Sequence, residues 1–116
     1  MSALDENTVT DLCMVLSTFP TEAKALEVAR ILVSEHLVAC VNLIPKITSV
    51  YAWKGQINEE TEVLCMMKTE MRLFEQLRAR LVALHPYEVP EVVCLKAESV
   101  HEPYQQWVSE YVKAGA

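Results

Sequence analysis

A chain of 116 residues has room for one domain with its own core and not for two. Hydrophobic residues make up 52% of it, yet no run reaches the ~18 continuous apolar residues of a membrane helix, so the surplus points to a buried subunit interface. Sixteen acids against ten bases give a net charge of −6 without any Lys/Arg-rich run, which argues against nucleic acid and anionic membranes as partners and leaves metal cations open.

The opening "MSALDENT" is polar and acidic and lacks the basic start and apolar centre of a signal peptide. It reads as a flexible tail over residues 1–8, followed by a single domain over 9–116 in a cytoplasmic protein. "TDLCMVLSTF" is a buried strand that stops at Pro20. "TEAKALEVARILVSEHL" then carries Ala25, Leu26, Ala29, Leu32 and Val33 at helical spacing, with Thr21 as its cap.

"ACVNLIPKITSVYAW" is β-branched and aromatic, and Pro45 inside it predicts an edge strand or a bulge. The short "KGQ" turn leads into "INEETEVLCMMKT", so the two strands form a long hairpin about Gly55. In "VLCMM" both alternating faces are apolar, which implies that each packs on something.

A second helix is expected after Thr69, with Phe74, Leu77, Leu81 and Leu84 on one stripe, ending near His85 because Pro86 follows. "VPEVVCLKAESV" reads as a fourth strand. "EPYQQWVSEYV" places Tyr104, Trp107, Val108 and Tyr111 on the buried stripe of a last helix, with Pro103 in its first turn.

The order β-α-β-β-α-β plus a terminal helix is the ferredoxin-like split βαβ arrangement of an α+β domain. Helices on one face leave the other sheet face open, and its apolar residues predict a closed homo-oligomer. Cys13, Cys40, Cys65 and Cys94 lie 27, 25 and 29 residues apart in apolar runs. That spacing suits reduced thiols packed as small hydrophobes, with soft-metal ligation left open. Met14, Met66 and Met67 match a methionine cluster in composition, and at strand spacing they read as core or interface residues.

"ACVNLIPKITSVYAWKGQINEETEVLCMMKT" followed by "HPYEVPE" resembles the CutA divalent-cation tolerance proteins from about Leu12 to Val112. The resemblance implies a ferredoxin-like protomer, a homotrimer shaped like the PII signalling proteins, and a link to copper and divalent-cation tolerance without catalytic activity. Among the family's copper-associated residues, Cys40 and His85 are present, whereas Ser17 stands where some members carry a second cysteine. A hydroxyl is a poor ligand for copper(I), so restoring a thiol at Ser17 is expected to tighten binding of that ion.

Pro86 and Pro90 fix the backbone within the seven-residue joint, holding Tyr87, Glu88 and Glu91 in place. Cys40, His85 and Glu91 are therefore the candidate metal ligands, suited through His85 and Glu91 to copper(II) or zinc. Tyr51, Trp53, Lys68, Tyr87 and Glu88 are candidates for lining a cleft between subunits. The competing readings are a helix-closing role for His85, favoured by the helix dipole, and a purely structural corner. No G-x-S-x-G, phosphate loop or H-E-x-x-H motif supports an enzyme. A PII-like sensor or adaptor, holding a small anion against Lys68 or a partner in the cleft, is the alternative function.

Overall fold

The computed structural model describes residues 11–113. The tail expected over 1–8 lies outside them, and the domain expected over 9–116 extends past them at both ends. In chain order the elements are β1 (Leu12–Phe19), α1 (Glu22–Ser34), β2 (Cys40–Trp53), β3 (Gln56–Glu70), a 3-10 turn (Met71–Leu73), α2 (Phe74–Leu84), β4 (Val93–Lys96) and α3 (Glu102–Lys113). The strands form one antiparallel sheet in the order β2-β3-β1-β4. This is the expected α+β split βαβ fold, with a long hairpin and a last helix.

Alternation along β1 and β3 sorts side chains between two faces. Cys13, Val15 and Phe19 meet Val63, Cys65 and Met67 on the helix side, joined by Val28 and Leu32 of α1 and Leu77 and Leu81 of α2. The stripe of α1 is Ala25, Val28, Ala29 and Leu32. Leu26, expected there, is exposed instead, because the i, i+3, i+4, i+7 register runs through Val28 and turns position 26 outward. Thr21 Oγ1 accepts from the Lys24 N–H at 3.1 Å, as its capping role requires. The helix ends in a Schellman motif, with His36 at φ 62, its N–H donating to Val33 O and the Leu37 N–H donating to Leu32 O.

Pro45 has both predicted consequences. β2 is an edge strand, and Pro45 and Lys46 bulge between the pairs Ile44↔Leu64 and Ile47↔Glu62, with Lys46 at φ 61. The hairpin closes through Lys54 (φ 50) and Gly55 (φ 78), the two left-handed residues of a type I′ turn. Beyond the bulge the hairpin leaves the body of the domain, exposing Val50, Trp53 and Ile57.

Three boundaries differ from the sequence expectation. β3 continues through Glu70, and the 3-10 turn delays α2 to Phe74. The fourth strand is only Val93–Lys96. On α3 the buried residues are Val108 and Val112, packed with Leu12, Ala39 and Leu73, whereas Trp107 is 50% exposed and Tyr104 37%. The aromatic rings lie on the flank of the stripe. α3 meets the end of the sheet through its β-branched residues, and Tyr111 ties it to α1 by donating to Val33 O at 2.6 Å and stacking on His36.

Ser17 is fully buried on the helix-facing side, paired in register with Cys65. Its Oγ has no hydrogen-bond partner among the described residues. An unsatisfied buried hydroxyl costs free energy, so Ser17→Ala should stabilise the fold by about 1 kcal/mol. Denaturant unfolding would show a higher midpoint; a lower one would mean that the hydroxyl is bonded in solution.

Candidate functional site

The joint after α2 is set by Pro86, which forces His85 out of the helical region to φ −77, ψ 139. The imidazole turns inward and is 8% exposed. Its Nε2–H donates to Thr18 O at 2.8 Å, and its Nδ1 accepts the Tyr87 N–H at 3.1 Å. One nitrogen must donate and the other accept, so the ring is the neutral Nε2–H tautomer. It stacks on Phe19 with centroids 4.2 Å apart and tilts against Tyr87 at 4.9 Å. Burial lowers its pKa below the usual 6.5, outweighing the Thr18 carbonyl and the Glu62 charge, which act the other way. The dipole-stabilised cation expected at this helix end is therefore replaced by a neutral, buried ring whose two nitrogens are both engaged.

Tyr87 passes this order to the hairpin. Its hydroxyl donates to Glu62 Oε2 at 2.6 Å, and burial followed by that bond pushes its pKa up. Glu62 is 7% exposed. On the outer wall Tyr51 donates to Glu60 Oε1 at 2.5 Å, and that bond is the main reason its pKa rises.

Between joint and hairpin lies a groove of about 640 Å³. Tyr51, Trp53, Glu60 and Glu62 line one side; Pro86, Tyr87, Glu88 and Glu91 line the other. It contains four carboxylates and no Lys, Arg or His in its lining. Five of the eight residues singled out from sequence, Tyr51, Trp53, Tyr87, Glu88 and Glu91, thus share one cavity. Glu60 and Glu62 were missed, although their alternation in "NEETE" puts both on one side of the strand.

Lys68 and Cys40 are not part of this groove in the protomer. Lys68 pairs in register with Cys40 and Met14, and its Nζ donates to Asn42 Oδ1. Met14 is four residues along β1 from Thr18, about 13 Å at strand rise. The length of the hairpin separates Lys68 from the cleft it was expected to line. Cys40 is half-buried on the open sheet face, where its thiol meets the Tyr104 hydroxyl.

The two-thiolate expectation for position 17 also changes, because Ser17 points into the helix-side core and Cys40 to the opposite face. A cysteine at 17 would not reach a metal held by Cys40 in the same protomer. All four cysteines are free thiols. Among the described residues, no three His, Cys, Asp or Glu side chains converge closely enough to hold a metal ion. The groove supplies oxygen donors for a cation, but copper(II) in its preferred nitrogen-rich setting would require His85 to give up a bond.

No helix among the described residues is long and apolar enough to cross a membrane. Comparison with known proteins agrees with the fold. The profile of the CutA1 divalent ion tolerance protein family matches residues 13–111. Protein CutA of Homo sapiens is 48% identical over 97 residues, covering 84% of this chain and 54% of the human one. The chain thus spans about half the length of that curated relative.

The divalent cation tolerance protein of Thermus thermophilus superposes with a TM-score of 0.84 at 42% identity, covering 86% of this chain and 97% of that one. A CutA of Archaeoglobus fulgidus, named a periplasmic divalent cation tolerance protein, gives 0.84 at 30% identity over 87% of this chain and 98% of its own. The family and the two solved relatives are named for tolerance and not for catalysis. With the profile spanning the domain and the fold shared throughout, the chain belongs to the CutA1 divalent ion tolerance protein family.

Proposed function

We propose that this protein binds divalent metal ions, copper or zinc among them, as a cytoplasmic homotrimer that contributes to cation tolerance. The observation that carries the reading is the groove, with four carboxylates and two phenol hydroxyls around one cavity and no basic side chain in its lining. Such a groove attracts cations through its field; because no three of its carboxylates converge among the described residues, holding an ion requires them to draw together or a second copy to add donors. Glu60, Glu62, Glu88 and Glu91 are the direct contributors in this reading. His85 serves the groove through Tyr87, and joins the ligand set only by leaving Thr18 or Tyr87.

Cys40 sits on the open face. A metal role for its thiolate therefore falls at a subunit boundary, where a neighbouring copy supplies further donors. The charge of the groove also weighs against the alternative of an anionic ligand, since Lys68, the cation proposed to hold one, is bonded to Asn42 and stands elsewhere on the sheet.

Isothermal titration of metal-stripped protein with copper(II), zinc and a nucleotide panel separates the two. Saturable binding of a divalent ion without nucleotide binding is expected. Nucleotide binding without metal binding would replace the tolerance reading by the sensor.

A further inference from the structure

We infer that Cys13, Cys94 and Met71 form a sulfur-only site for a soft monovalent ion of the copper(I) type, separate from the acidic groove. The site goes beyond the groove reading, because it takes a different ion on different donors.

Three separate elements bring the sulfurs together. β1 and β4 pair Val15 with Cys94 and Cys13 with Lys96, so Cys13 and Cys94 are diagonal neighbours on the helix-side face. Their thiols are near enough that Cys94 helps to raise the Cys13 pKa. Cys94 Sγ in turn donates to Met71 Sδ at 3.6 Å. Met71 opens the 3-10 turn, and its N–H donates to Asp11 O at 2.8 Å, which pins the turn beside the start of β1.

The geometry suits a three-coordinate ion. With metal–sulfur bonds of about 2.3 Å, a trigonal centre sets its sulfurs about 4 Å apart, so the Cys94–Met71 edge at 3.6 Å has to open by only a few tenths of an ångström. Convergence of His, Cys, Asp and Glu alone does not reveal the site, because its third donor is a thioether. Two thiols and a thioether suit soft ions over magnesium, and a three-sulfur set leaves zinc short of the four ligands it takes in structural sites.

Entry is from the surface. Met71 is 38% exposed and Cys94 half-buried, while Cys13 closes the inner side with no exposure. Burial is the main cause that pushes the Cys13 thiol up to about 12, followed by its bond to Cys94. The ion therefore displaces a Cys13 proton that the free protein holds firmly. Two thiol protons pass to solvent as the ion binds two thiolates and the thioether, and no electron changes hands.

The test uses reduced full-length protein under anaerobic conditions, with copper(I) supplied in competition with a bathocuproine chelator. Met71→Leu keeps the volume of a partly exposed side chain, and Cys94→Ser removes one thiol from the edge of the core; thermal melts verify that both fold. Each should weaken copper(I) binding by roughly tenfold or more, with Cys40→Ser near wild type, and copper(II) or zinc binding should be unchanged in Met71→Leu. Wild-type copper(I) affinity in either Met71→Leu or Cys94→Ser would overturn the site, leaving the sulfur contacts as packing alone. Loss only in Cys40→Ser would do the same and move the ion to the open sheet face. The groove reading survives either result, because it is tested with divalent ions.

Discussion

Met66→Glu should convert the assembled protein into free protomers of 13.1 kDa. Met66 stands on the sheet face away from α1 and α2, beside Leu16 on β1 and Asn42 on β2. Met14, Leu16 and Leu64 share that face, and so do Ile44, Val93 and Leu95, which are 43%, 44% and 46% exposed in the protomer. Each Å² of such surface left in water forgoes about 25 cal/mol, so a face of this size calls for a cover. In the proposed trimer that cover is two further copies. A carboxylate at its centre would lose hydration without gaining a partner, which costs several kcal/mol. Sedimentation equilibrium at micromolar concentration should give three times the protomer mass for the wild type and the protomer mass for Met66→Glu. A wild-type protein already at 13.1 kDa, or a variant that keeps the trimer mass, would refute this cover.

His85→Ala is expected to lower stability by about 2–4 kcal/mol, because it opens a cavity against Phe19 and leaves the Thr18 carbonyl without its donor. The variant should also lose a pH dependence. In the folded protein the His85 pKa lies below 6.5 because of burial, so on acidification the unfolded chain takes up the proton first. The stability associated with the neutral ring is fully present above about pH 6.5 and declines as pH falls toward the lower folded pKa. Unfolding at about pH 7.5 and pH 5.5 should therefore show a wild-type decline that is smaller in His85→Ala. An equal decline in both proteins would assign the titration to other groups.

The fold was legible because its signals are local. Thr21 before the amphipathic run, Pro45 in an edge strand, Gly55 at the turn and Pro86 at the helix end each act through their own backbone. α3 was less so. Tyr104, Trp107 and Tyr111 share a helical stripe with Val108, and size alone does not reveal that the β-branched pair Val108 and Val112 faces the sheet while Trp107 remains half-exposed. That distinction depends on the angle at which the helix meets Leu12 and Leu73, a long-range property.

The groove was legible in part for a similar reason. "HPYEVPE" is contiguous, and its rigidity follows from two prolines, but Glu60 and Glu62 enter the site only through the hairpin register that puts Tyr51 opposite Asn58 and Ile47 opposite Glu62. Sequence singled out His85 while leaving its two roles open; only its bonds to Thr18 and Tyr87 show how fully the ring is engaged. The Cys13–Cys94–Met71 cluster was invisible for the same reason, since 81 residues separate its two cysteines along the chain (94 − 13).

The most direct test of divalent-ion binding in the groove is a competition titration of copper(II) and zinc into metal-stripped Glu60→Gln/Glu91→Gln protein. Both side chains are exposed, so the double variant should fold as the wild type does. Its affinity for either ion is expected to fall by roughly tenfold or more, with the oligomeric mass unchanged. Wild-type affinity in that variant would contradict divalent-ion binding in the groove.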